Sequence, residues 1–524
     1  MTKVTKRDFM IKGFRQIAFW TVLSRILGMV RDMAFAHYFG AAWLMTAWTM
    51  GFKIPNLSRR LFGEGAASAS FIPIYSEQLH VDPASAQRLA NSVLTVLFVF
   101  LTALVVIGEA VVWVVYAATD LPLGGRTGLL LTGIMMPYMV MICIVAILGG
   151  ILNVHRHFAA PAAAPLALNM IIIASVVFTA MTDMSPERQV LHVAGWVLFA
   201  GLAQMLLHIP PLRSHGFTFR FAWDIRSAAF KKILLLMGPM LLGLTVTQIN
   251  TLADDLIALA FSNDKGYPLG WGAVSHLYYA QRLYQFPLGV LGISLATAIF
   301  PVMSIDAARK DHAGLCKTVS RGFGGSLFVA LPATVGMILV ARPLVAVVFQ
   351  HGEFLAEDTT VTAWTLSFYS LGLCGYFAQH IVTRAFYATQ DSKAPAITAA
   401  IAVVINVALN LILLWPLGTG GLALSTAICS YVQVVILFRV LSKRYGDSML
   451  QDIGPLAVKT ILGTVLMALA ALGALQLMRH LPQSTTADLT RVVVVVLLSV
   501  FVYLLAAKLL KNEMLSLILP RGGK

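Results

Sequence analysis

The chain has 524 residues, 58% of them hydrophobic and only 12% charged, with a mean hydropathy of +0.81; an ordinary soluble domain is about a quarter charged. That composition excludes a soluble globular protein. The formal charge of +15, from 38 Lys+Arg against 23 Asp+Glu, would suggest a nucleic-acid partner in a soluble chain; here the anionic inner leaflet of a membrane explains part of it.

A hydrocarbon core about 30 Å thick is crossed by about 20 apolar residues in helical form. Apolar runs bounded by Gly, Pro and charge predict about fourteen such helices. They start near Phe14, Ala41, Ala86, Arg126, Phe158, Val190, Phe230, Gly270, Lys317, Thr359, Lys393, Gly418, Pro455 and Thr490. The expected fold class is an all-α polytopic membrane protein. The basic start (Lys3, Lys6, Arg7, Lys12, Arg15) runs into a segment carrying Arg25, Arg31 and Asp32 and lacking an A-x-A site, so the first hydrophobic helix is expected to stay uncleaved. The second span is interrupted by Lys53, Pro55, Asn56, Arg59, Arg60 and Glu64.

Basic residues follow the even-numbered helices: Arg213, Arg220, Arg226, Lys231 and Lys232 after the sixth, Arg309, Lys310, Lys317 and Arg321 after the eighth, Lys443 and Arg444 after the twelfth. The connection from Gln350 to Asp358 is acidic. The positive-inside rule then places both termini in the cytoplasm.

Two internal echoes organise the chain. Ser68-Ala-Ser-Phe-Ile-Pro-Ile-Tyr-Ser76 reads like Ala296-Thr-Ala-Ile-Phe-Pro-Val-Met-Ser304, and His157-Phe-Ala-Ala-Pro161 reads like the segment ending Asp391-Ser-Lys-Ala-Pro395. Both pairs are offset by roughly 230 residues, which spans an even number of predicted helices and implies repeats of the same orientation. The expected organisation is an N-terminal lobe over 1–225, a C-terminal lobe over 226–450, each of about six helices, and two additional helices over 451–524.

An ionisable residue at membrane depth costs at least about 2.5 kcal/mol, so it faces a cavity or a partner. Arg25 and Arg31 on the first helix lie about 120° apart around the axis and about 9 Å apart along it, able to flank one wide cavity. Neighbouring side chains on a helix do not face each other, so Asp32 is expected to find its cation on another helix. Arg59 and Arg60 follow Pro55 in the second segment, before Glu64; Arg282 lies in Tyr278-Tyr-Ala-Gln-Arg-Leu-Tyr-Gln285-Phe-Pro287. Some of these arginines could snorkel to an interface. As a set, permanently charged guanidinium forks indicate a polyanionic ligand, most simply a phosphate or pyrophosphate, with hinges at Pro55, Pro73, Pro287 and Pro301.

A second polar set joins Asp254 and Asp255 of the seventh helix to Asn406 and Asn410, spaced i, i+4 on the eleventh, and Thr426 on the twelfth. One carboxylate with amide and hydroxyl oxygens suits a monovalent cation or a proton relay; hydrogen bonding between helices would use the same residues. Catalytic signatures are scarce, with no P-loop, H-E-x-x-H or G-x-S-x-G. His155-Arg-His157 reads as a solvated basic loop. Cys143, Cys316, Cys374 and Cys429 have no metal or disulfide spacing and are expected to be inert thiols.

The order and spacing of several motifs resemble the MurJ (MviN-type) lipid II flippases of the multidrug/oligosaccharidyl-lipid/polysaccharide exporter superfamily. These are Ser24-Arg-Ile-Leu-Gly-Met-Val-Arg-Asp32, Phe52-Lys-Ile-Pro-Asn-Leu-Ser-Arg-Arg-Leu-Phe-Gly-Glu-Gly65, Phe71-Ile-Pro73, Ile151-Leu-Asn153 with Phe158-Ala-Ala-Pro161, Tyr278-Tyr-Ala-Gln-Arg282 with Gln285-Phe-Pro287, Gly352-Glu-Phe354 and Phe386-Tyr-Ala-Thr-Gln-Asp391. The resemblance covers nearly the whole chain. It implies fourteen helices around a central cavity between two lobes, with Arg25, Arg31, Arg59 and Arg282 engaging the substrate pyrophosphate, and Asp32, Pro55, Arg60, Glu64, Gln285 and Pro287 supporting the cavity or its hinges. It also implies an apolar groove for the polyprenyl tail in the last two helices, and sodium bound in some relatives at positions resembling Asp254, Asn406, Asn410 and Thr426. This chain departs from the family where many members carry an acid at Thr46, Gln281 and Gln285, and a sodium-binding relative has one at Asn410.

The implied activity is movement of lipid II, the undecaprenyl-pyrophosphate-linked peptidoglycan precursor, from the inner to the outer leaflet of a bacterial cytoplasmic membrane by alternating access. It makes and breaks no covalent bond. No organic cofactor is expected; sodium or proton coupling and the membrane potential are the candidate energy sources, and membrane lipids and cell-wall synthesis proteins the further candidate partners. Rival readings are a flippase for another polyprenyl-linked sugar, a drug/ion antiporter, an enzyme acting on a polyprenyl phosphate, or a scaffold. An antiporter for cationic drugs should show cavity acids, and the arginine set argues against it.

Overall fold

The computed structural model describes residues 6–63, 66–120, 123–446, 453–482 and 484–518. It is an all-α polytopic membrane protein; helices satisfy their backbone groups internally, which hydrocarbon requires in the absence of water. Among the described residues ten stretches are long and apolar enough to cross a bilayer, and the only strands are a two-residue parallel pair, Ser262–Asn263 with Leu269–Gly270. The chain forms two compact units, Met1–Gln248 and Ile249–Lys524.

The first unit is built from α1 (Lys6–Phe39), α2 (Trp43–Ser58), α3 (Ala66–Val81), α4 (Pro83–Ala118), α5 (Leu123–Met135), α6 (Tyr138–Val154), α7 (Ala159–Ala180), α8 (Pro186–Ser214) and the larger part of α9 (Ala228–Ala260). Its core joins Phe71 and Tyr75 of α3 to Leu89 of α4, Ile147 and Ile151 of α6 and Phe230 of α9, all buried. The second unit takes the rest of α9, then α10 (Ala273–Pro287), α11 (Ile293–Ala308), α12 (His312–Leu339), α13 (Ala341–Phe349), α14 (Ala356–Leu371), α15 (Leu373–Ala388), α16 (Lys393–Leu417), α17 (Thr419–Tyr445), α18 (Ile453–Leu477), α19 (Thr485–Leu509) and α20 (Leu515–Ile518). Met303, Val319, Ile381, Phe386 and Leu437 make its main core. Helices α18 and α19 pack on α12, where the Tyr503 hydroxyl donates to the Phe328 carbonyl at 2.6 Å, and turn Leu466, Leu469, Leu497 and Phe501 outward.

Each unit repeats the same two local devices at the echoed motifs. A π-helical turn follows Pro55 in α2 and spans Arg59–Gly63; another follows Pro287 of α10 and spans Leu288–Gly292. Proline removes one backbone donor from the helical ladder, and both turns then widen before α3 and α11, which themselves contain Pro73 and Pro301. Both end in a glycine at a close approach. A Cβ on Gly63 would lie 3.2 Å from the Ala146 Cβ, and one on Gly292 3.0 Å from the Phe377 ring.

The second device precedes α7 and α16. Arg156 (φ 61°) and Gln390 (φ 59°) are left-handed, and one residue later the chain closes the same way in both units. The His157 N–H donates to Leu152 O at 2.8 Å, and the Asp391 N–H to Phe386 O at 2.9 Å. These six-to-one bonds satisfy carbonyls at the ends of α6 and α15. Asp391 then accepts from the N–H groups of Lys393 and Ala394 and from Arg444, capping α16.

Candidate functional site

In the first unit, Arg25 is exposed on α1. Six residues on, Arg31 donates through Nη2 to Asp32 Oδ1 at 2.7 Å and through Nη1 to Asn169 Oδ1 of α7 at 3.1 Å. The Asp32 side chain is 2% exposed and that of Arg31 12%. The expectation that adjacency would keep these two apart is therefore corrected. Cβ vectors of neighbouring helical residues do diverge, but the long Arg31 side chain bends its guanidinium back onto the carboxylate. Asn169 also donates its amide to the Ser24 carbonyl at 3.2 Å, so one side chain fixes Arg31 and clips α7 to α1. Sequence reasoning missed it because a single Asn in an apolar helix carries no spacing signal.

Arg59 lies in the π-helical turn, half-buried, with Nη2 donating to Asn56 Oδ1 at 2.9 Å. Pro55, one residue before that amide, is buried. Arg60 is exposed and reaches Gln248 Oε1 at 3.1 Å. Glu64 lies outside the described residues. Thr46, one of the positions without the family's acid, is buried.

In the second unit, Arg282 turns back along α10: its Nη2 donates to the Tyr278 hydroxyl at 2.9 Å, and its Cζ stands 4.5 Å from the Tyr278 ring centre, a cation–π geometry. Gln281 donates to the Tyr369 hydroxyl at 3.0 Å. Gln285 is exposed, and Pro287 half-buried at the edge of the π-helical turn. A further arginine was not singled out from the sequence: Arg384 of α15 places its Cζ 5.7 Å from the Phe300 ring centre. Its signal was the same as that of Arg282, an ionisable group within a predicted span.

The second polar set does converge. Asn410 Nδ2 donates to Asp254 Oδ1 at 2.6 Å and to Asn406 Oδ1 at 3.0 Å, Thr426 Oγ1 donates to Asp254 Oδ2 at 3.0 Å, and Asn406 Nδ2 donates to Thr426 Oγ1 at 3.3 Å. Asp254 is 2% exposed, and both asparagines are fully buried. The Asn410 Oδ1 is buried and accepts no hydrogen bond among the described residues. A buried acceptor left without a donor costs about 1–3 kcal/mol; it is the amide nitrogen of Asn410, not this oxygen, that meets the carboxylate.

Outside the spans, the histidine loop is a cluster. The His155 and His215 ring centres lie 5.2 Å apart, those of His157 and His215 6.1 Å, and the Tyr75 hydroxyl is 3.1 Å from His155 Nε2. Burial, and then the neighbouring His215, hold the His155 imidazole below its ordinary pKa. The four cysteines are free thiols, three of them buried.

Comparison with known proteins bears on the whole chain. The profile of the family described as lipid II flippase MurJ matches residues 35–491. A probable lipid II flippase MurJ of Vibrio cholerae serotype O1 is 32% identical over 452 residues, 84% of each chain. A lipid II flippase MurJ of Burkholderia cenocepacia is 32% identical over 450 residues, covering 83% of this chain and 84% of that one. Among solved structures, a lipid II flippase MurJ in an inward closed conformation superposes with a TM-score of 0.78 at 24% identity, over 95% of this chain and 99% of its own. An inward-facing multidrug resistance MATE-family transporter of the MOP superfamily reaches 0.64 at 15% identity, over 80% and 94%; both structures are a likeness of fold. With a family profile spanning most of its length and relatives this similar over more than four-fifths of theirs, the chain belongs to the MurJ lipid II flippase family.

Proposed function

We propose that this protein moves lipid II from the inner to the outer leaflet of the bacterial cytoplasmic membrane, as a transporter and not an enzyme, with both termini in the cytoplasm and fourteen spans. The observation that carries the proposal is the family match over residues 35–491, which includes Arg59 and Arg282; Arg25 and Arg31, with most of α1, lie before it, and most of α19 and α20 after it.

Arg25, Arg31 and Arg59 of the first unit and Arg282 of the second are the proposed contacts of the pyrophosphate. Guanidinium stays charged and forks onto phosphate oxygens, which suits a ligand carrying two phosphoryl groups. Arg31 and Arg282 are held by Asp32, Asn169 and Tyr278, so their orientation is set before the ligand arrives, and less conformational freedom is lost on binding. Arg59 sits in a widened helical turn between Pro55 and Gly63, a type of turn found often at functional sites. In the proposed cycle these groups are offered first to one leaflet and then to the other. The outward leucine, valine and phenylalanine side chains of α18 and α19 suit a polyprenyl tail that stays in the hydrocarbon.

Asp254, Asn406, Asn410 and Thr426 would hold a sodium ion, and the unpartnered Asn410 Oδ1 supports that assignment. Such an ion would supply a fixed positive charge to the buried Asp254 carboxylate. Asn410 would turn its amide so that oxygen, not nitrogen, meets the site.

The test is a leaflet-accessibility assay in cells depleted of the protein, with an enzyme added outside to cleave exposed lipid II. Wild type should restore cleavage. Arg25→Ala, Arg31→Ala and Arg282→Ala should fail to restore it while reaching wild-type abundance in the membrane. Normal cleavage with all three variants would remove the arginine mechanism, and undiminished cleavage in depleted cells without a second flippase would remove the flippase reading.

A further inference from the structure

Four apolar spans of the second unit begin or end around one cavity. Ala273–Ala308 and Thr419–Tyr445 start there, and His312–Leu339 and Lys393–Leu417 finish there. The cavity holds about 670 Å³, within the range of about 300–1,000 Å³ common for small-ligand sites. Because four spans stop at it, it lies where hydrocarbon gives way to headgroups. Tyr267, Trp271, Trp364 and Trp415 are all exposed around this end, as aromatic residues are at a membrane boundary, and two of them, Trp271 and Trp364, line the cavity.

Its polar walls are suited to an anion. Arg342 lines it, is exposed, and has no acidic or hydrogen-bonding partner among the described residues. Helices α10, α13 and α17 all begin at its wall, at Ala273, Ala341 and Thr419, and none has a side-chain N-cap. Helix starts without a side-chain cap present the positive end of the dipole, although at α17 the Gly421 N–H already donates to the Gly418 carbonyl at 3.0 Å. His276, 8% exposed, also lines the cavity; its Nδ1 lies 2.9 Å from Thr362 Oγ1 and its Nε2 3.7 Å from the Asp358 carboxylate. The remaining walls are mainly apolar, including Leu339 and Leu417. A free inorganic anion would leave that apolar surface wet, whereas a lipid covers it with its chains.

We propose that this cavity binds the phosphate headgroup of an anionic phospholipid from the surrounding bilayer. The phosphate meets Arg342 and the uncapped helix starts, the glycerol lies between Trp271 and Trp364, and the acyl chains continue down the apolar spans. The site lies wholly within the second unit and uses none of the residues assigned to the transported substrate.

The experiment uses the full chain in phosphatidylcholine nanodiscs containing a small fraction of lipid brominated on its acyl chains, either phosphatidylglycerol or phosphatidylcholine, and reads quenching of tryptophan fluorescence. A basic side chain at a membrane surface favours an anionic lipid by a factor of roughly five. Quenching by brominated phosphatidylglycerol should therefore reach its midpoint at roughly one-fifth of the mole fraction needed for the phosphatidylcholine analogue. The Trp271→Phe/Trp364→Phe variant should lose this difference, which locates it. Arg342→Gln should abolish the preference and Arg342→Lys keep part of it, both with unchanged helical content. Millimolar inorganic phosphate should leave the preference intact. Equal quenching by the two lipids, or a preference that survives Arg342→Gln, would overturn the proposal; loss of the preference in inorganic phosphate would reassign the site to a free anion and overturn the lipid assignment.

Discussion

Arg31 shows how a largely buried arginine can be held without being spent on a structural ion pair alone. Asp32 offsets its charge, while Asn169 takes a second N–H and ties the guanidinium to α7. Arg25, on the same helix, is exposed. The buried set around Asp254 yields a direct prediction. Sodium should raise the midpoint of thermal unfolding relative to equimolar choline, because a ligand that binds only the folded state stabilises it, by about 2.7 kcal/mol at a hundredfold excess over its dissociation constant. Asp254→Asn should abolish the sodium-specific shift; a shift of undiminished size in that variant would place the ion elsewhere. A second prediction concerns pH. His155 is held below its ordinary pKa of about 6.5 by burial and by His215, so the folded state resists a proton that the unfolded state accepts. Its contribution to stability is present above the unfolded value and is lost as pH falls through that value and below it. Amide-exchange protection around residues 152–158 should drop between pH 8 and pH 5.5, and His215→Phe should lessen the drop; a pH-independent protection factor would exclude His155 as its source. The charged residues in both polar sets were legible in the sequence because a charge in an apolar run stands out. Asn169 was not, since neutral amides are ordinary glue between membrane helices, and the Arg31–Asp32 contact was not, since it depends on a side-chain conformation and not on helical spacing.

At the scale of elements, the paired π-helical turns give the echoed motifs a physical meaning. The sequence shows Pro55 and Pro287 and the similar runs that follow them. It does not show that the backbone widens over Arg59–Gly63 and Leu288–Gly292, because residue propensities do not separate i+4 from i+5 bonding. The same holds for the helix starts: Lys393 and Thr359 lie within a few residues of observed α16 and α14 starts, while the breaks at Gly372 and at Val340 within expected helices were hidden in continuous apolar sequence. Glycine at the end of each π-helical turn is required by contact and not by backbone angle. Gly292→Ala would set a methyl 3.0 Å from the Phe377 ring, and overpacking of this kind costs about 1–3 kcal/mol. The variant should unfold at a lower temperature in detergent, and Phe377→Leu should recover most of the loss in the double variant. If Phe377→Leu and Gly292→Ala simply add, the glycine is serving another purpose, such as freedom of the turn to change its winding.

For the whole molecule, the arginines raise the question of which step of the proposed cycle feels the membrane potential. Lipid II leaves the cytoplasmic leaflet as an anion, and an inside-negative potential favours that transfer by about 2.3 kcal/mol per charge per 100 mV. If cationic side chains travel with it, the loaded step approaches electroneutrality, and the potential acts on the return of the empty, positively charged site towards the negative side. Summed over a full cycle, the side chains come back to where they began, so their charge cancels and the net work depends on the substrate and on any ion carried with it. Net transfer should then respond to potential however the arginines move. In proteoliposomes carrying a potassium diffusion potential of about 100 mV, negative on the side where lipid II starts, the leaflet ratio at steady state should shift by roughly 50-fold per charge relative to no potential. Reversing the potential should shift it the other way. A single loaded transfer, followed before the site can return, should respond less than the steady state does, and Arg25→Gln or Arg59→Gln variants retaining any transfer should make that first step more sensitive. A steady-state ratio indifferent to potential would require a compensating positive charge to cross in the same direction on every cycle, and would exclude the potential as the source of direction.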